Sequence, residues 1–225
     1  MKPLPFAPAD AFPAVIVPLT APTPSALGEQ AARCAEGVDV IRWAKARGIN
    51  VTAEVTPHHL LLSTQELVGY DTTFKVNPPL RPDEHIEAVR EALADGTIDV
   101  VGTDHAPHAT QDKDHAFVDA RPGMLGLEQA LAVVMETMLN PGRLDWSGVA
   151  DRMSHAPARV ASLAGQGRPL AVGEPANLVL VDPTRTATVD RAASASLSRN
   201  NPYHGRTLPD PVEATYLRGR ETYRR

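Results

Sequence analysis

Residues 98–108, IDVVGTDHAPH, end an apolar run abruptly in one carboxylate and two imidazoles. Ile98, Val100 and Val101 fit a short buried strand bounded by Gly96 and Gly102, and Pro107 keeps a helix from starting at once. The ionisable groups therefore stand at the C-terminal end of a strand. In a barrel or open sheet of parallel strands that end carries the catalytic groups, because the strand aims a side chain that the following loop leaves accessible. Asp104 is the leading catalytic candidate. A carboxylate there can ligate a divalent metal and can accept a proton from metal-bound water, whose pKa the metal lowers to about 7. His105 and His108 are candidates for ligands, donors to an anionic substrate, or supports for the carboxylate. A bare D-H-x-x-H also fits a polar turn with surface histidines.

Working outward, strand and helix alternate. Val38, Ile41, Trp43 and Ala44 predict an amphipathic helix over 38–47, closed by Gly48. VTAEV (51–55) alternates as a strand and runs into Thr56, Pro57, His58 and His59. Adjacent histidines continuing a strand would point to opposite faces, so the reading for them is one satisfied by backbone and one on a pocket wall. Ser63 or Thr64 can cap a short helix to Leu67. FKVNPPL (74–80) predicts a brief strand entering a proline-stiffened turn at Asn77. The Asn77 amide offers a donor and an acceptor to a polar ligand, or equally an Asx turn. His85–Ala94 spaces Ile86, Val89, Ala92 and Leu93 as a helix with Asp83 as cap, which returns the chain to the strand before Asp104.

Beyond the motif, residues 109–121 predict a long polar loop able to act as a lid. Pro122 and Gly123 follow, Gly123 allowing backbone to approach a ligand, although an ordinary start to the next helix fits as well. Helices are expected over Leu125–Leu139, over Asp145–Met153, and from SHAPARVASL (154–163) with Pro157 in its first turn. ANLVLVDP (176–183), TATVD and PVEATYLRG predict strands near the C-terminus. The fold class is α/β.

Six ordered blocks carry a family resemblance: VTAEVTPHHLLL, KVNPPLR, TDHAPH, RPGMLGLE, SHAPARVASL and ANLVLVDP. Together they resemble the cyclic amidohydrolases, with TDHAPH resembling dihydroorotase most specifically, and allantoinase and dihydropyrimidinase as relatives. The resemblance implies part of a TIM-type (β/α)8 metallo-hydrolase barrel with strands of a small β domain. Residues 1–37 are an irregular segment outside it, 38–172 the C-terminal part of the barrel, and 173–225 the β segment. The implied reaction is reversible hydrolysis of dihydroorotate to N-carbamoyl-aspartate in pyrimidine biosynthesis, with one or two zinc ions polarising the ring carbonyl and activating water. It implies Asp104 as metal ligand and proton carrier, Asn77 and His108 as substrate contacts, and Pro122 and Gly123 as backbone contacts to substrate. The family's His-x-His pair and its further histidine ligands have no counterpart here, since all eight histidines lie at or after His58 and the position near Ala31 is not histidine. The alternatives are a non-catalytic homologue serving as a structural partner, for example of aspartate transcarbamoylase, or an allantoinase- or hydantoinase-type hydrolase.

Bulk properties bound the rest. At 225 residues and net charge -5, with no Lys/Arg block, the chain has length for a sizeable core and no nucleic-acid footprint. A single cysteine, Cys34, allows no internal disulfide and fits a cytoplasmic location. AFPAVIVPLT (11–20) is too short and too broken by proline to span a membrane. Seven prolines among residues 1–30 argue for irregular chain. Edge strands of the β segment are available for pairing in a homo-oligomer.

Overall fold

The computed structural model describes residues 34–225. The irregular segment expected over residues 1–30, and the Ala31 position, lie outside the described residues. Helix α1 (Ala35–Ala46) buries Val38, Ile41 and Ala44, the i, i+3, i+6 stripe of its sequence, and ends at Gly48, whose φ of 72° reverses the chain. Trp43, expected on that stripe, is half-exposed beneath the Arg47 guanidinium. Helix α3 (Asp83–Asp95) buries Ile86, Val89, Ala92 and Leu93 and stops at Gly96 with φ 87°. It starts at Asp83 after an N-cap Pro82, two residues before the expected His85, because Pro82 fixes an extended entry and Asp83 and Glu84 suit a first turn. Helices α1 and α3 pack together.

Between them lie the two parallel strands that carry the loops of interest, β1 (Glu54–Val55) and β2 (Val100–Val101), in register Glu54 with Val100 and Val55 with Val101. Both are shorter than the apolar runs around them. Asp99 fixes the entrance to the pair: its carboxylate accepts from Lys45 Nζ at 2.8 Å and from the Ala53 amide at 2.8 Å, while its own amide donates to Ala53 O at 2.9 Å. Val55, Leu60, Val89, Leu93 and Ile98 are fully buried around the pair, each side chain worth about 1.5–3 kcal/mol of transfer free energy.

Pro57 begins helix α2 (Pro57–Leu61), so His58 and His59 are helical and both buried, not strand residues on opposite faces. The reason is local: Thr56 is extended, and proline at the first helical position is pre-set for that start. Short 3₁₀ turns follow at Thr64–Leu67, where Ser63 caps the Gln65 amide, and at Thr72–Phe74. No strand forms over 74–80. Two consecutive prolines remove the ladder donors there, and the Asn77–Pro78 bond is cis.

After β2 the loop contains helix α4 (Thr110–Lys113). The next helix begins at α5 (Ala130–Val134) and widens into a π turn at Met135–Leu139, later than the expected Leu125, because His105 and Met124 first form a parallel bridge. Helix α6 (Trp146–Ala150), capped by the Asp145 carboxylate on the Gly148 amide at 2.7 Å, runs through a π turn at Asp151–His155 into α7 (Ala156–Val160). The expected helices after Asp145 and at SHAPARVASL are thus one continuous path.

The C-terminal strands form two antiparallel sheets. Strand β3 (Leu178–Val181) pairs with β6 (Val212–Leu217), which pairs with β7 (Arg220–Arg224). Strand β4 (Thr186–Thr188) pairs with β5 (Thr207–Pro209), and Leu208 joins the core with Tyr203. Among the described residues no helix is long and apolar enough to cross a membrane.

Candidate active site

The C-terminal ends of β1 and β2 point the same way, since the strands are parallel. Asp104 follows β2 by three residues, exposed, with φ of 47°. Left-handed backbone is uncommon outside glycine and is tolerated best by Asp and Asn, so an aspartate suits this position. His105 points away from solvent: its Nδ1 accepts from the Gly126 and Leu127 amides at 3.1 and 3.3 Å, so that nitrogen carries no proton. The ring ties the β2 loop to the segment before α5.

His108 sits three residues on. Its Nε2 donates to Pro122 O at 2.9 Å, its backbone amide donates to Asn200 Oδ1 at 3.2 Å, and its Nδ1 lies 3.9 Å from Asp112 Oδ2. Gly123 is buried with φ of 133°, and a Cβ there would stand 2.6 Å from His108 Nε2 and 2.8 Å from Ala106 Cβ. The absence of a side chain at 123 is therefore what lets the His108 ring lie against this turn. The Gly123 amide donates to Lys75 O at 2.8 Å, which places the Pro122–Gly123 turn beside the segment leading to Asn77.

The Asn77 turn is braced from beneath by His59. Pro78 O, 3.2 Å away, can only accept, so His59 Nε2 bears the proton, and in the neutral ring Nδ1 accepts from the Thr56 hydroxyl at 2.6 Å. Asn77 itself is exposed. His59 is the histidine satisfied by its neighbours, through a hydroxyl and a remote carbonyl. Its buried neighbour His58 lies with ring centroids 4.5 Å apart.

The structure thus links His108, Pro122 and Gly123 by direct contact and brings the Asn77 segment alongside through Lys75 O. Sequence reading missed Asn200, which is 5% exposed and joins three parts of this cluster. Its Nδ2 donates to Ala106 O at 2.9 Å and Gly123 O at 3.2 Å, and Leu125 N donates to its carbonyl at 3.0 Å. The only local signal is the Asn-Asn-Pro run at 200–202.

A family model described as the amidohydrolase family matches residues 25–221. The chain belongs to the amidohydrolase family. Among curated relatives of this amidohydrolase, the dihydroorotase of Streptomyces coelicolor is 58% identical over 188 residues, covering 84% of this chain and 44% of the relative. The dihydroorotase of Mycobacterium tuberculosis is 55% identical over 193 residues, covering 86% and 45%. Among solved structures, the L-hydantoinase (dihydropyrimidinase) of Arthrobacter aurescens superposes with a TM-score of 0.79 at 29% identity, covering 85% of this chain and 43% of that one. The D-hydantoinase of a Thermus species gives 0.77 at 28%. The α/β class and the partial (β/α)8 metallo-hydrolase barrel expected from the sequence are borne out, and the chain spans less than half the length of these relatives.

Zinc fits the described residues poorly. Among them no three His, Cys, Asp or Glu side chains converge in a way that could hold a metal ion. A catalytic zinc takes about three protein ligands, and the family resemblance names Asp104 alone here as one.

Proposed function

We propose that the chain forms the C-terminal part of a dihydroorotase-type catalyst, acting in pyrimidine biosynthesis on the reversible hydrolysis of dihydroorotate to N-carbamoyl-aspartate. The observation that carries this reading is the cluster of TDHAPH, NPPLR and RPG loops at one end of the β1–β2 pair, in a chain 55–58% identical to proteins named dihydroorotase and 28–29% identical to the hydantoinases above. Asp104 accepts the proton of the attacking water and returns it to the departing ring nitrogen, so no net proton is consumed within the site. The Asn77 amide and His108 meet the polar edges and carboxylate of the substrate, and the Pro122–Gly123 backbone closes against it. Zinc belongs to this reading only with donors from outside the described residues, and no step above depends on it. The location that goes with it is the cytoplasm.

The test combines the full chain with the N-terminal portion of the Streptomyces coelicolor dihydroorotase that it does not match. Turnover of dihydroorotate, allantoin and dihydrouracil is compared, with and without Asp104→Asn, and zinc is measured by elemental analysis on the same samples. Dihydroorotate turnover falling about 10²–10⁴-fold in the variant is expected, the range of a positioned acid/base. A preference for another cyclic amide, or an Asp104→Asn sample as active as the parent, sinks the assignment. If neither sample turns over, N-carbamoyl-aspartate should still shift the NMR signals of His108 and Gly123, and its failure to do so overturns the reading.

A further inference from the structure

Loop 109–121 is fastened to the Asn77-bearing segment by two lysines that reach across in opposite directions. Lys113 Nζ donates to Arg121 O at 2.8 Å, Thr72 O at 3.0 Å and Lys75 O at 3.3 Å, three carbonyls for the three N–H donors of an ammonium. Lys75 Nζ returns the contact, donating to Val118 O at 2.7 Å and lying 5.7 Å from the Phe117 ring centroid. Thr72 Oγ1 adds a bond to Lys113 O at 2.6 Å, and Phe117 meets Tyr70 edge-on at 5.9 Å. The acceptors are placed with consequence. Lys75 O also receives the Gly123 amide, and Arg121 directly precedes Pro122.

We propose that Lys113 is a positioning residue whose ammonium, with Lys75 opposite, clips the loop down and sets the backbone that presents Asn77, Pro122 and Gly123. This rests on the reading that those three residues face the substrate, but the clip itself is measurable without any ligand. The sequence allows the loop to act as a lid, and the two lysines would be its latch. The groups facing Lys113 are Lys75, a like charge, and Asp71 and Asp112, opposite charges, with Asp112 also 3.4 Å from Arg121 Nε and 3.9 Å from His108 Nδ1. Burial, and then Lys75, push the Lys113 pKa down to about 8. A released loop would return Lys113 to its ordinary value near 10.5, so the open state holds more protons and raising the pH from about 8 toward 10.5 favours the clipped state.

The test is site-resolved amide hydrogen exchange on the full chain, corrected for the intrinsic pH dependence of exchange. Gly123 protection should drop about tenfold or more in Lys113→Met, as for loss of charged hydrogen bonds, and Lys113→Arg should restore most of it. In the parent chain the same protection should rise between about pH 8 and pH 10.5, whereas Lys113→Arg, charged throughout, should stay flat. If Lys113→Met does not fold by circular dichroism, the pH series of the other two chains decides. Equal Gly123 protection in folded Lys113→Met, or a flat parent profile, overturns the latch. A latch present alongside no N-carbamoyl-aspartate response at Gly123 would retain the device and remove its assignment to that substrate.

Discussion

Gly123→Ala tests the packing of the candidate site directly. A non-glycine residue at φ 133° costs about 1–3 kcal/mol in backbone strain. The added methyl would meet His108 Nε2 at 2.6 Å and Ala106 Cβ at 2.8 Å, a collision worth about 1–3 kcal/mol after relaxation. The two together give a loss of about 2–6 kcal/mol, a large part of the roughly 5–15 kcal/mol that holds a typical domain. Relaxation must push the His108 ring from Pro122 O, because Ala106 is fixed by its amide bond to Met124 O at 3.0 Å and by Asn200. Gly142→Ala is the matched control, since φ is 75° there and nothing stands within 4 Å of the new carbon, so strain alone operates, at about 1 kcal/mol. Urea unfolding of the three chains gives the free energies, and the His108 imidazole signals report the ring. If Gly123→Ala matches Gly142→Ala within about 0.5 kcal/mol, the ordinary scatter of benign substitutions, the contact argument is refuted.

Asn200→Ala should cost about 2–4 kcal/mol in thermal or urea unfolding, because it strands the Ala106 and Gly123 carbonyls and the His108 amide at a buried position; a loss below about 0.5 kcal/mol would contradict its role. Tyr203 is fully buried with a hydroxyl that has no partner among the described residues, and burial pushes its pKa up, so Tyr203→Phe should leave stability unchanged or raise it by up to about 1 kcal/mol, and a clear loss would reveal a partner. Lys113 titrates at about 8 when folded against 10.5 in its ordinary state, so between these values the unfolded chain holds more protons and stability rises with pH; the urea-midpoint difference between the parent and Lys113→Met should therefore move in the parent's favour from pH 8 to 10.5, and a constant difference would argue against the depressed pKa.

What could be read from sequence divides along the range of the interactions involved. Helices α1 and α3 were legible because Val38, Ile41, Val89 and Leu93 recur at helical spacing and Gly48 and Gly96 stop them at left-handed backbone. The β2 end was legible from Gly102 and the sudden change to Asp104 and His105. The stretch 74–80 misled because its apolar alternation ignores what Pro78 and Pro79 remove from a ladder, and His58 and His59 misled because the strand reading ran on through Pro57, which starts a helix. Asn200 and Lys113 act over separations of 92 and 41 residues, on backbone carbonyls that have no residue identity to recognise. No periodicity or motif encodes such contacts.

The remaining step concerns the β1–β2 pair itself. A parallel sheet is stable when helices cover both faces and neighbouring strands satisfy both edges. Here the helical cover is present: α1, α2 and α3 converge with Val38, Leu60, Val89 and Ile98 in one core. Neighbouring strands are not, since among the described residues the sheet is two strands wide. The same end of the pair carries Asp104, the one metal donor that the family resemblance implies, and among the described residues no group of three such side chains could hold a metal ion. Both would be met, on the proposed function, by further parallel strands whose C-terminal ends bring ligands toward Asp104, and the chain matches 43–45% of the length of its relatives. On the proposed function, a catalyst assembled that way should gain zinc and added strand pairing in the same step. Acquisition of zinc with no change in amide protection at β1 and β2 would separate the two and count against a shared origin.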